Sequence, residues 1–276
     1  MLARGQRTRI MGILNATPDS FSGDGLGHDP DALLARGRAQ VAAGAEWIDV
    51  GGESTRPGAT PVPEEEELRR VLPLVRRLAA ELRVPVSIDT TKPGVADAAL
   101  AAGATMLNDV SGLRDEALLG VARAHDAFLV IAHNGWTLRD RGAADEGDPL
   151  ERVAREIQRL AELALSRGIR EGRLVADPGL GFGKGPADSL ALVRRTEELR
   201  ERIAPLPLLV GPSRKSFVGR ALGLPVEERL EGTLAAVAMT AAAGAELIRV
   251  HDVGPSVRAA RMGWAIRTGE LADGRA

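Results

Sequence analysis

At 276 residues the chain is long enough for one (β/α)8 barrel, which takes about 250 residues, and too short for a second full domain beside it. The absence of Cys excludes a disulfide framework, a thiolate nucleophile and a Cys-ligated metal, and a net charge of −2 with Arg interleaved among Glu leaves no basic field for a nucleic-acid backbone. No apolar run approaches the roughly 20 residues that span a bilayer and no signal-peptide pattern opens the chain, so a cytoplasmic protein without membrane or nucleic-acid partners is expected.

Eight short apolar runs follow, each the length of a buried parallel strand and each ending in polar or Gly-bearing residues. The first, from Ile10, ends at Asn15 and opens into a polar loop through Gly25 that is too long for a tight turn and reads as a lid. A helix is predicted over 31–43. The second run, from Trp47, contains Asp49 and leads into Gly51-Gly52-Glu53-Ser54-Thr55-Arg56-Pro57-Gly58-Ala59. Arg56 among glycines suits an oxyanion, because guanidinium presents a fork of donors and Gly lets backbone approach; a solvated surface Arg is the plainer alternative. After a predicted helix over 64–82, the third run, from Val86, ends at Asp89, which is placed either to cap the next helix, 93–102, or to meet a ligand.

The fourth run, from Met106, carries Asn108 and Asp109 and precedes a helix over 116–124. The fifth, from Val130, ends at His133 and Asn134 before a helix over 149–167, and the sixth, from Leu174, ends at Asp177 in Asp-Pro-Gly-Leu-Gly-Phe-Gly-Lys before a helix over 187–202. Asp89, Asn108 and Asp177 match a heterocycle that presents N–H groups along one edge, since carboxylates accept and an amide does either. Asn15, Asn108 and Asn134 are the only Asn in the chain, and all stand at strand ends, where a ligand would be met. The seventh run, from Leu208, leads to Gly211-Pro212-Ser213-Arg214-Lys215-Ser216-Phe217, with Lys215 and hydroxyls on a strand-to-helix turn suited to anions, and a helix follows over 226–243. The eighth, from Leu247, alternates so that Arg249 and His251 share a face, ahead of a helix over 255–267. A buried Arg beside a His calls for a phosphate or pyrophosphate between them and Arg56, or for a pairing of Arg249 with Asp252 or Glu246.

Three segments, QVAAGAEWIDV, ALAAGATMLNDV and MTAAAGAELIRV, repeat a plan of helix end, left-handed Gly and strand, which is the αβ joint of a repeating unit. Eight such alternations predict a single-domain (β/α)8 barrel over residues 1–276, with its chemistry at the carboxyl ends of the strands. An open doubly wound sheet fits less well without a nucleotide fingerprint.

The motifs ILNATPDSFSGDG, DVGGESTRPGA, VSIDTTKPGVA, NDVSG, DPGLGFGK, VGPSRKSF and IRVHDV, in this order, resemble dihydropteroate synthase. The resemblance implies condensation of 6-hydroxymethyl-7,8-dihydropterin pyrophosphate with para-aminobenzoate, release of pyrophosphate, Mg²⁺ as cofactor and a homodimer. By motif position it implies that Asp89, Asn108, Asp177 and Lys215 hold the pterin, with Arg249 against the ring. Arg56, Arg249, His251 and Asn15 would hold the pyrophosphate, Asn15 also reaching Mg²⁺. Thr55, Pro57, Phe182, Lys215 and Ser216 would form the para-aminobenzoate pocket. Asp89, Lys215, Arg249 and Arg56 stand as the catalytic set. Ala132, where the family often has Met, is expected to change one apolar wall of the pterin pocket, and Asp24 is shifted by one place. A pterin-dependent methyltransferase and a non-catalytic pterin-binding paralogue are the alternatives; the Ser-Arg-Lys and Ser-Thr-Arg-Pro loops favour the synthase.

Overall fold

The structure is a computed structural model that describes residues 2–17, 29–54, 60–140, 142 and 147–270. In chain order its elements are β1 (Arg9–Asn15), α1 (Pro30–Ala42), β2 (Trp47–Gly51), α2 (Glu64–Glu81), β3 (Val86–Asp89), α3 (Pro93–Ala101), β4 (Met106–Asp109), α4 (Ala117–Ala124), β5 (Phe128–Ala132), α5 (Gly135–Asp140) and α6 (Pro149–Ser166). They continue with β6 (Leu174–Asp177), α7 (Pro186–Arg194), α8 (Thr196–Arg202), β7 (Leu209–Val210), α9 (Ser216–Leu222), α10 (Leu230–Ala242), β8 (Leu247–Val250) and α11 (Val253–Thr268). The strands pair in parallel in the order β6-β5-β4-β3-β2-β1-β8-β7. The ring closes through a bridge between Ala176 of β6 and Leu208, supported by the Ala176 amide donating to the Pro207 carbonyl at 2.9 Å. This is the expected (β/α)8 barrel.

Alternation along each strand sorts the side chains into two cores. Residues such as Leu14, Ile48, Val50, Ile88, Leu107, Ile131, Ile248 and Val250 point outward, where they pack with helix residues such as Leu34, Leu74, Leu78, Leu119 and Val237. The opposite parity faces inward. Met11, Trp47, Met106, Phe128, Val130, Val175, Leu209 and Leu247 form the floor of the barrel interior, joined by Leu2 from the N-terminal segment. Trp47 and Phe128 meet edge to face with centroids 5.9 Å apart, a favoured geometry for two aromatic quadrupoles. One pleat further along, the same inward parity carries Asp49, Asp89, Asn108, Asp177 and Arg249. Register places Asn15, Gly51, Asp89 and Asn108 across from one another on successive strands.

Helix starts follow the expected chemistry where Asp precedes Pro. Asp29 accepts from the Asp31 amide at 2.9 Å and Asp148 from the Leu150 amide at 3.3 Å, while Pro30 and Pro149 occupy first-turn positions that need no N–H partner. Gly44, Gly103 and Gly244, at the three repeated joints, take φ of +103°, +111° and +88°. Other boundaries differ from expectation. The helix expected over 187–202 is two, because Thr196 turns its hydroxyl back onto the carbonyls of Leu192 and Val193 and the chain breaks at Arg195, φ −104° and ψ 26°. The helix expected over 226–243 begins as a 3-10 turn, Val226–Glu228, and becomes α-helical at Leu230. Short α5 and α9 occupy segments read as loop from sequence, since neither is long enough to show a helical period.

Candidate active site

The inward-facing residues of the strand ends meet at the mouth of the barrel. Arg249 stands at the centre. Its Nε donates to Asp49 Oδ2 at 2.5 Å and its Nη2 to Asp89 Oδ2 at 2.7 Å, and Asn108 Nδ2 donates to the same Asp49 oxygen at 3.1 Å. Burial works against the Arg249 cation, but Asp49 and Asp89 outweigh it and hold its pKa above the ordinary value. Asp89 shows the converse balance: burial pushes its carboxyl up to about 7, against the pull of Arg249 and with the repulsion of Asp49. Both partners that sequence reading offered Arg249 are taken by others. Asp252 is paired by Arg214 at 2.8 and 3.0 Å, and Glu246 by Arg200 at the opposite end of β8. The cost of burying Arg249 is thus met by carboxylates across the barrel, with no anion required. Asp89 is not a helix cap either; the cap position of α3 is Lys92.

Three buried acceptor oxygens in this group, Asp49 Oδ1, Asp89 Oδ1 and Asn108 Oδ1, meet no partner among the described residues. A buried acceptor without a donor costs on the order of 1–3 kcal/mol, so three together mark a place where a ligand supplies N–H groups. Asn108 gives one amide hydrogen to Asp49, and its oxygen is left as an acceptor. Asp177, two strands on, accepts from the Gly179 amide at 2.7 Å, and burial raises its pKa against that bond and the nearby Lys215.

Lys215 ends the loop after β7 with its Nζ 4.1 Å from the centre of the Phe182 ring. Burial lowers its pKa to about 8, with Asp177 opposing the shift and Arg249 adding to it. Phe182 in turn meets Trp136 of α5 edge to face at 6.0 Å. On the other side of the loop, His251 pairs through Nδ1 with Ser213 Oγ at 2.9 Å, and the same hydroxyl accepts the His251 amide at 3.1 Å.

These groups enclose a cavity of about 670 Å³ whose walls include Asn15, Asp89, Phe182, Lys215, Ser216, Arg249 and His251, together with Trp136 and Arg229. A smaller space of about 50 Å³ adjoins it, bounded by Asp177, Lys215, Phe182, Arg249 and His251. Of the residues expected from sequence, Asn108 alone among those described lies behind the cavity wall, fully buried against Asp49. Thr55, Arg56 and Pro57, and residues 18–25 of the first loop with Asp24, lie outside the described residues. Ala132 is buried and borders neither space.

Sequence reading placed Asp49 among the strand-end polar groups but gave it no role. The available signal was parity: a carboxylate in the middle of an apolar run, two places from Gly51 and Trp47, has to face the barrel interior. It also gave Asn134 a ligand-facing position that the structure corrects. Asn134 Oδ1 accepts the amides of Trp136 and Thr137, capping α5, and its Nδ2 donates to the Val110 carbonyl. His133 is fully buried, its ring nitrogens meet no partner among the described residues, and burial lowers its pKa to about 3, so it is neutral.

No group of three or more His, Cys, Asp or Glu among the described residues has metal-binding geometry. An oxygen-seeking ion that keeps water and substrate phosphate as most of its ligands fits nonetheless. Asn15 Oδ1 is the hard oxygen donor on the cavity wall suited to such an ion, since Asp89 Oδ2 is taken by Arg249.

Residues 11–251 match the model of the family described as pterin binding enzyme. The dihydropteroate synthase of Bacillus subtilis is 41% identical over 258 residues, 93% of this chain and 88% of that protein. Among solved structures, dihydropteroate synthase of Xanthomonas albilineans with 4-aminobenzoic acid has a TM-score of 0.87 at 42% identity, covering 95% of this chain and 94% of that one. The Yersinia pestis enzyme in a sulfonamide complex has a TM-score of 0.89 at 39% identity, covering 97% and 99%.

Proposed function

Because the chain belongs to the dihydropteroate synthase family of pterin-binding enzymes, and so is a transferase joining 6-hydroxymethyl-7,8-dihydropterin pyrophosphate to para-aminobenzoate in folate biosynthesis, we propose a division of labour among its residues. Asp89, Asn108 and Asp177 accept from the N–H edge of the pterin, with Lys215 beside the ring and Arg249 packed against it. Asn15, Arg56, Arg249 and His251 hold the pyrophosphate. Thr55, Pro57, Phe182, Lys215 and Ser216 form the para-aminobenzoate pocket. The observation that carries this reading is the unpartnered Asp89 Oδ1 on a cavity wall shared with Arg249 and Lys215, with the unpartnered oxygens of Asp49 and Asn108 buried behind that wall.

The reaction begins with stretching of the bond between the pterin methylene carbon and the leaving oxygen. Arg249 and Arg56 attract the departing pyrophosphate, and His251 donates to it. Positive charge growing on the pterin methylene faces Asp89 and Asp177, with Asp49 behind Arg249; these carboxylates are already oriented before the substrate arrives, so their stabilisation needs little reorganisation. Phe182 and Lys215 then limit where the aniline nitrogen stands for attack on that carbon. The nitrogen loses its proton readily once bonded, so no strong base is required. Mg²⁺, held by Asn15, would supply charge neutralisation to the leaving pyrophosphate oxygens.

The same reading makes the protein cytoplasmic and homodimeric. Its charged small substrates favour the first, and the second is supported by Met239 of α10 and Met262 and Ile266 of α11, large apolar side chains exposed on adjoining helices. A monomer mass in light scattering would remove the dimer. The reaction is tested by following pyrophosphate and dihydropteroate together with Mg²⁺ present. Stoichiometric appearance of both, dependent on para-aminobenzoate, is expected; tight pterin binding without product would overturn the assignment of roles.

A further inference from the structure

Lys184 closes the segment after β6 and is buried, yet the chemistry above does not use it. Its Nζ donates to three backbone carbonyls: Gly179 at 2.9 Å, His133 at 3.1 Å and Phe182 at 3.3 Å. The carbonyls come from two segments, the end of β5 and the turn that follows β6. That turn departs from regular structure at Gly179, Gly181 and Gly183, with φ of +63°, +78° and +68°. Its inward carbonyls therefore have no ladder to join and need donors from elsewhere.

The two segments press closely. A Cβ on Gly179 would stand 2.0 Å from the His133 carbonyl, and one on Gly183 2.6 Å from the Trp136 amide. The Phe182 carbonyl takes the Gly135 amide at 3.1 Å as well as the Lys184 ammonium, so its backbone is held from both sides. The ring it carries is only partly covered, and it lies between Trp136 and the Lys215 ammonium. Where that ring stands is set mainly by its backbone.

We infer that Lys184 is a positioning residue for the aniline half of the site, fixing the Phe182 backbone so that its ring flanks Lys215 at the cavity wall. The inference rests on Phe182 forming part of the para-aminobenzoate pocket. An ammonium suits the task because it donates in several directions from one point, which neither an apolar nor a carboxylate side chain reproduces. Asp177 is tied to the same turn through the Gly179 amide by its own oxygen, and that bond and Lys215 both act on it more strongly than the Lys184 charge does, so the pterin edge depends less on Lys184.

The test is a double-mutant cycle on the full chain with Lys184→Met and Phe182→Leu, reading KM for para-aminobenzoate, kcat, and calorimetric affinity for dihydropterin pyrophosphate. Lys184→Met should raise KM for para-aminobenzoate about ten-fold, with kcat and pterin affinity within about three-fold. The double variant should be no worse than Phe182→Leu alone. Effects that multiply independently, or a parallel loss of both substrate affinities, overturn the inference while leaving the reading of Phe182 intact. An unchanged KM in Phe182→Leu overturns both. Should Lys184→Met fail to fold, Lys184→Gln, which keeps donors, takes its place in the cycle with the same direction expected and the same outcomes decisive.

Discussion

The floor and the mouth of the barrel interior are made by the same strands under the same alternation, yet they follow opposite rules. The floor packs Met11, Trp47, Met106, Phe128, Val175, Leu209 and Leu247 with no titratable group among them. The mouth sets Asp49, Asp89 and Asp177 against Arg249 and Lys215, with acceptor oxygens left over. Removal of apolar surface from water stabilises the first region. In the second, attraction between opposite charges does little more than offset their desolvation, because a buried ion pair is rarely better than an apolar replacement. The floor gives stability that the mouth draws on to keep charges ready for a substrate.

Arg249→Ala gives the sharpest break in that comparison. Turnover should fall by about 10²–10³-fold or more, as for loss of a group aimed at a developing charge. Stability should fall too, by about 3–5 kcal/mol, because Asp49 and Asp89 lose their counterion. Chemical denaturation and steady-state rates check the two effects, and a stable, active variant would sink the account of the mouth. Met106→Ala probes the floor instead: about 2–5 kcal/mol of stability should go, with KM for both substrates nearly unchanged below the melting transition. A selective loss of affinity there would mean that floor and mouth are not separable. Asp177→Asn is milder. It should weaken pterin affinity by about ten-fold, on the scale of one hydrogen bond to a charged group, while para-aminobenzoate KM changes little.

The most gradual effect is one of pH. Asp89 is raised from its ordinary value to about 7 when folded, so between those values the native state holds a proton that the unfolded chain has lost. Its contribution is complete at acid pH and fades as pH rises through 7, with a slope of at most about 1.4 kcal/mol per pH unit. Lys215, lowered to about 8, acts the other way, with stability recovering between pH 8 and its ordinary value. The stability of wild type relative to Asp89→Asn should fall as pH rises from 4 to 7 if Asp89 carries this term, whereas a difference that does not change with pH would show that it does not.

How far the sequence revealed each region follows from the same contrast. The barrel was legible because buried parallel strands are short apolar runs and the αβ joints repeat a Gly that only a left-handed turn requires. Asp89, Asp177, Lys215 and Arg249 were legible because charges at the ends of such runs have few other reasons to be there. Asp49 stood among the same strand-end charges, but its role was not legible, since it depends on Arg249 reaching it from another strand, a contact 200 positions away in the chain. Asn134 misled for the opposite reason: a strand-end amide serves a cap as well as it serves a ligand, and only the direction of its hydrogen bonds separates the two. Lys184 looked like the end of a motif, because backbone carbonyls, its partners, leave no trace in residue identity.

The joint between β6 and β7 differs from the other contacts around the ring, being a bridge at Ala176 and Leu208 where the rest are ladders. Asp177 follows one side of that seam directly, and the loop to Lys215 leaves from the other. Any breathing of the seam therefore parts an acceptor from a cation, and a ligand that engages both acts as a clamp across the thinnest closure of the barrel. The Ala176 amide, which bonds across the seam to Pro207, is the natural reporter: its exchange with deuterated solvent should slow when the pterin is bound, while amides of β1 and β2 stay as they were.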